Sequence, residues 1–325
     1  MSQRAARLQR ARGALLGRLV GEALGATTQH LPPESLAALA GEGPLEMRGG
    51  GVHDVAPGQV TGEGELTLTL ARELATEGSY ERERVAVAYV RWGRSEPFDV
   101  PQPEGRAFPD FPETPSVAEG VAARADREAR CAGALARVVP LAVWGWDLPP
   151  GELGERAAAD ARLSHPDPSC RHASVALCFA LARAIERGGT PVELQRATLE
   201  FAREANLAAS VQAALQAALG GAGARGAGAS GGVSSFAPSA PSVLGAAFQA
   251  LVREGDPGRG LSALARQGGA ADVIVGVAGA LYGGLLGEEA LPGTWREGLL
   301  ACRTTRGLTY QTADLLPLAE ALARA

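Results

Sequence analysis

Residues 273–287 form an apolar run without a single charged side chain. A helix that is apolar all round has to be buried. At fifteen residues the run is short of the roughly 20 needed to span a membrane, so it predicts a helix at the centre of a water-soluble core. Gly279, Gly283 and Gly287 stand four apart within it, a spacing that suits close approach of a second helix. Whatever surrounds this segment has to enclose it completely.

The rest of the chain supplies helices for that purpose. Leu66, Leu70 and Leu74 repeat at i, i+4, with Arg72, Glu73 and Glu77 on other faces. Segments 157–163, 174–185, 191–202 and 208–219 are alanine-rich with apolar spacing near 3.6. Pro191 suits a first helical turn, Thr190 suits its N-cap, and Gly188-Gly189 ends the helix before it. No segment alternates apolar and polar residues between hairpin turns. The prediction is an all-α chain of about a dozen helices.

Two stretches interrupt the pattern. Residues 95–115 are rich in proline, acids and aromatics and read as an extended surface loop. Residues 220–241 are glycine, alanine, serine and proline and read as a flexible loop. The motifs described next fall on both sides of that second loop, so one domain over 1–325 is expected, with the loop as an excursion.

The net charge is −5, lysine is absent, and the arginines are scattered among acids, which excludes a nucleic-acid partner. Residues 1–12 are polar and basic but lead into no apolar signal core, so a cytoplasmic protein without a membrane span is expected. Cys131, Cys170, Cys178 and Cys302 have no CxxC spacing and read as small buried apolar residues. No Gly-x-Ser-x-Gly elbow is present for a serine hydrolase.

Two loop-to-helix junctions carry possible chemistry. Thr61-Gly62-Glu63-Gly64-Glu65 opens one helix, and Gly268-Gly269-Ala270-Ala271-Asp272-Val273 opens the apolar one. Carboxylate and hydroxyl oxygens at such junctions can hold a hard cation. Gly62 and Gly64 lack the third glycine, strand and lysine of a phosphate loop, and are expected to widen the pocket instead. His30 and His53 flank the presumed cleft, with Asp54 beside His53.

In order, these segments resemble the ADP-ribosylglycohydrolase family. Gly21-Glu22-Ala23-Leu24-Gly25-Ala26 is similar to its opening GDALGA helix, and Thr61 with the acidic helix start to its TDDT metal motif. Tyr89-Val90-Arg91-Trp92 and Pro97-Phe98-Asp99 follow at the familiar spacing. Gly133 to Leu141 is similar to its SNGALMRVAPL segment, Leu163-Ser164-His165-Pro166 to LTHP, and the 268–281 stretch to GGDTDT with its helix. The resemblance implies an all-α, single-domain fold and hydrolysis of the bond between ADP-ribose and an amino-acid side chain at a two-Mg²⁺ site.

Residue by residue, the resemblance fails at the metals. Thr61 is kept, but Gly62, Glu63 and Gly64 stand for Asp, Asp and Thr; Asp272 is kept, but Ala270 and Val273 stand for Asp and Thr. The acid expected after the opening helix falls at Gln29, the asparagine of the nucleotide-contacting segment falls at Ala132, and Glu22 replaces an Asp in a place to hold the first motif's loop. Two divalent ions about 3.5–4 Å apart need several anionic oxygens. Glu63 and Asp272 offer two charges against four. The resemblance therefore implies Thr61, Glu63 and Asp272 as a weak metal set, no cofactor beyond one Mg²⁺ or Ca²⁺ at most, and Glu63 and Asp272 as the catalytic pair of any surviving activity. Gln29, Gly133, Arg137 and His165 are the implied substrate-binding residues, although Arg137 in an apolar segment also suits pairing with a buried carboxylate. The expected partner is ADP-ribose or an ADP-ribosylated protein. The expected function is a catalytically impaired family member that still binds such a group, with a one-metal hydrolase and a ligand-free structural protein as alternatives.

Overall fold

Glycine sets the contact between the two central helices. The helix Gln3–Ala26 carries Gly13, Gly17, Gly21 and Gly25, one per turn along one stripe. The helix Ala271–Leu286 lays its own stripe against it: Gly13 faces Gly283, Gly17 faces Gly279, Gly21 faces Val275 and Gly25 faces Ala271. The numbers run in opposite directions, so the helices are antiparallel. A Cβ at any of the four would fall inside the van der Waals envelope of the carbonyl oxygen opposite. The two backbones therefore touch directly, and dispersion contacts replace side-chain packing along the seam.

The computed structural model describes residues 2–39, 41, 43–220 and 237–324. Among these residues there are helices and two isolated bridges, Gly50 with Val55 and Cys131 with Ser239, but no strand. The all-α expectation holds. The helix Pro168–Arg187 packs against both members of the central pair and against Pro150–Ala161. Gly62–Glu77 and Ala240–Arg253 close other sides. The apolar run is enclosed: Val275, Val277, Ala278 and Leu281 have no exposed surface. Among the described residues no helix is long and apolar enough to cross a membrane.

Local signals were legible at the helix ends. Thr190 caps Pro191–Glu204 through a reciprocal pair with Glu193, whose backbone nitrogen donates to the Thr190 hydroxyl while its carboxylate accepts from the Thr190 backbone. Residues 95–115 are not a plain surface loop. Gln102–Ala107 is a short helix that buries Pro103, Glu104 and Ala107. Of the expected 220–241 loop, residues 221–236 lie outside the described residues. Its end is already helical, since Ser239 caps Ala240–Arg253.

Candidate functional site

Glu22 organises the site from the central helix pair. It is fully buried beside Arg18, whose Nε donates to the Ala136 carbonyl at 2.6 Å. One Glu22 oxygen accepts from Thr61 N at 2.8 Å, Thr61 Oγ1 at 2.7 Å and Gly64 N at 2.7 Å. A carboxylate thus caps the helix Gly62–Glu77, where negative charge suits the exposed N–H groups. Burial raises the Glu22 proton affinity, and Arg18 and these hydrogen bonds oppose it.

The same contacts explain the glycines. A Cβ on Gly64 would lie 2.5 Å from the Glu22 carboxylate, and one on Gly62 would run into the Asp99 carbonyl. The expectation that Gly62 and Gly64 widen the pocket is therefore corrected: the space they free is filled by Glu22 and by the backbone at Asp99.

Three carboxylates meet next to this junction. Glu63, Asp99 and Asp272 each place an oxygen so that all lie within 4.8 Å of one another. Gly62 N donates to Asp99 at 3.2 Å, and Thr61 Oγ1 lies 3.5 Å from Asp272 Oδ2. Glu63 Oε2 is buried without a hydrogen-bond partner among the described residues. Burial, then Asp272, Asp99 and Glu22, hold Glu63 well above the usual carboxylate range. Burial, then Glu22 and Asp99, push Asp272 up to about 7. Like charges crowded in a poorly solvated place disfavour ionisation, and a bound cation would reverse that. The donor set fits one hard cation, with Thr61 Oγ1 beside it. It does not fit two, because Gly62, Gly64, Ala270 and Val273 bring no donor side chain.

Glu63, Asp99 and Asp272 line a cavity of about 420 Å³. Gln29, His30 and His53 form part of its wall, and Cys131, Gly133 and Arg130 another part. Turned as its neighbours require, the Gln29 amide nitrogen donates to both Asp272 oxygens at 2.8 and 2.9 Å, while its oxygen accepts from His53 Nε2 at 3.2 Å. His53 also stands 3.8 Å from Asp99 and edge-on to Phe98.

Behind Gly133 lies a buried polar network. Arg137 Nε donates to Asp160 at 3.0 Å, its Nη1 donates to Ser164 Oγ at 2.8 Å and Glu104 at 3.3 Å, and its Nη2 donates to the Asp160 carbonyl at 2.9 Å. Tyr89 donates to the other Asp160 oxygen at 2.8 Å. His165 Nδ1 lies 2.8 Å from Ser164 Oγ, and its Nε2 lies 3.2 Å from the Cys131 sulfur. Burial, and then Arg137, push His165 down to about 3. Burial pushes Glu104 up to about 7 against Arg137, and Cys131 up to about 12. A Cβ on Gly133 would strike Glu104 and come within 3.1 Å of His165, so Gly133 is the thin wall between network and cavity.

The structure thus brings Glu63, Asp272, Gln29 and Gly133 together around one cavity, with Thr61 buried behind it on Glu22. Arg137 and His165 do not reach it; both are fully buried in the network. Glu65 turns the other way, onto Arg306 at 2.7 Å and Trp92 Nε1 at 2.8 Å. The ligand count from sequence missed Asp99 and Glu104. Both stand in the proline-rich segment, and the signal that would have found Asp99 is an acid between Pro97 and Pro101, where the backbone has few conformations to choose from.

Comparison with known proteins bears on the same residues. The sequence pattern of the ADP-ribosylglycohydrolase family matches residues 3–325. The chain is 32% identical over 182 residues to ADP-ribosyl-[dinitrogen reductase] glycohydrolase of Rhodospirillum rubrum, a match covering 54% of this chain and 56% of the relative. It is 34% identical over 113 residues to the ADP-ribosylarginine hydrolase Tri1 of Pseudomonas putida (strain GB-1), covering 35% of this chain and 28% of the relative. The matches therefore span only part of either relative. A solved structure described as an ADP-ribosylglycohydrolase-related protein complex superposes with a TM-score of 0.76 and 29% identity, over 98% of this chain and 99% of its own.

Proposed function

The chain belongs to the ADP-ribosylglycohydrolase family, and from that premise we propose that its cleft binds an ADP-ribosyl group over a single divalent cation, with the two-cation hydrolytic centre lost. The observation that carries this is the ligand set: Glu63, Asp99 and Asp272 converge within 4.8 Å, with glycine, alanine or valine at 62, 64, 270 and 273. Asp99 raises the count of acids from the two read in sequence to three, enough for one cation and short of two.

A cation bound there would supply Lewis-acid polarisation of a ribose oxygen. The chain's own groups do the rest. Glu22 fixes the loop that presents Thr61 and Glu63. Glu63 offers an oxygen with no partner among the described residues. Arg130, which lines the cavity and pairs with Asp167 at 3.2 Å, offers a guanidinium to a diphosphate.

A second reading is supported by Glu63 itself. A buried carboxylate with an oxygen that no described residue contacts is placed to take a proton from a water beside the cation, which would make the chain a slow one-cation hydrolase. One assay separates the two. With Mg²⁺ and a peptide carrying ADP-ribosylarginine, the first reading predicts release no faster than in buffer, together with a higher melting temperature when free ADP-ribose is added. Release that is faster than in buffer and needs Mg²⁺ contradicts it and favours the second, under which Glu63→Ala must abolish turnover.

A further inference from the structure

The Gln29 amide lies against both carboxylate oxygens of Asp272. Turned as its neighbours require, its nitrogen sits 2.8 and 2.9 Å from the two oxygens of Asp272, and its oxygen sits 3.2 Å from His53 Nε2. This is a chelating arrangement: one group bridges both oxygens of a buried carboxylate and reaches a nitrogen donor on the far side. Gln29 is 3% exposed and follows closely on the helix Gln3–Ala26, whose backbone is pressed against the helix that carries Asp272. Its backbone nitrogen is tied to the Gly25 carbonyl at 2.8 Å, and the next one, His30 N, to the Gly269 carbonyl at 2.9 Å. The amide is thus held on Asp272 from both motifs.

A cation on the same face of Asp272 would stand about 2.0–2.6 Å from its oxygens. It cannot share that space with a nitrogen at hydrogen-bond distance. We infer that Gln29 is a built-in, uncharged substitute for a second cation: its amide hydrogens satisfy one side of Asp272, its oxygen satisfies His53, and the site closes to one ion held between Asp272, Glu63 and Asp99. This rests on the single-cation reading above. The corollary is that Gln29→Glu, with Asp272 and His53 beside it, would complete a second site of oxygen and nitrogen donors.

The test is stoichiometry, read from the electron paramagnetic resonance signal of free Mn²⁺ during titration of the intact chain. The expected result is one bound Mn²⁺ for the parent, two for Gln29→Glu, and one again for Gln29→Glu with His53→Ala. A folded Gln29→Glu variant that binds no more Mn²⁺ than the parent overturns the inference while leaving the single-cation reading intact. A parent that binds none, with one ion gained in Gln29→Glu, overturns the single-cation reading and supports the role given to Gln29. Two ions in the parent overturn both. A parent crystal soaked in MnCl₂ decides the same point without a substitution: one anomalous peak with Gln29 still on Asp272 is expected, and a peak between Gln29 and Asp272 overturns the inference.

Discussion

At the scale of single residues, the cleft depends on side chains that no short motif connects. Asp99 decides how many charges face a cation, yet it comes from a segment that reads as a loop. Asp99→Ala is expected to weaken Mn²⁺ binding at least tenfold in the same titration while leaving the circular dichroism unchanged, since Asp99 lies at the cavity edge rather than in the core. An unchanged affinity would remove Asp99 from the ligand set. His165 gives a pH-dependent test. Its folded pKa of about 3 lies below the ordinary 6.5, so the folded chain refuses a proton that the unfolded chain accepts. The stabilising term is therefore complete above pH 6.5 and is lost as the pH falls towards 3. Between pH 7.5 and 5.0 the parent should lose about 2 kcal/mol more stability than His165→Asn, measured by urea unfolding at both values. Equal losses would mean that the ring is not held neutral. Position 165 was legible from the Leu-Ser-His-Pro segment, but its burial was not, because what covers it comes from residues 104, 131 and 137.

Elements carry the next level. The Gln3–Ala26 and Ala271–Leu286 helices meet along glycine, so their separation is set by backbone atoms. Gly279→Leu places a branched side chain where the Gly17 carbonyl stands, and is expected to cost at least the roughly 1–3 kcal/mol of an overpacked core. Urea unfolding should show a lower midpoint, and loss of Mn²⁺ binding should accompany it, because the same seam aligns Glu22 with Asp272. A midpoint equal to the parent's would refute the seam. Arg137 joins the helices Gly133–Arg137, Pro150–Ala161 and Gln102–Ala107 through Asp160 and Glu104, all without exposed surface. Removing one partner of such a set leaves a buried charge uncompensated, so Arg137→Ala should cost about 3–5 kcal/mol. If it costs under about 1 kcal/mol and weakens ADP-ribose binding instead, Arg137 belongs to the cleft. The apolar run and its glycines were readable because a helix surrounded by helix needs no polar face. The helix Gln102–Ala107 was not, because prolines and acids that look solvated in sequence are drawn inward by Arg137.

For the molecule as a whole, the family could be read from the order of its segments, and the fold followed from it. The state of its chemistry could not, because losses within motifs are visible while the convergence of side chains from separate segments is not. Gly62, Gly64, Ala270 and Val273 show what is missing at two junctions; Asp99 and the grip of Gln29 on Asp272 emerge only once the chain is folded. The account therefore turns on whether the cleft still takes an ADP-ribosyl group and whether a cation governs that. The most direct measurement is a calorimetric titration of ADP-ribose into the protein, with and without millimolar Mg²⁺. Micromolar binding that requires Mg²⁺ in the parent and disappears in Asp99→Ala is the predicted result. No heat in either condition would contradict it, and binding indifferent to both Mg²⁺ and Asp99 would leave the ligand but remove the cation from the account.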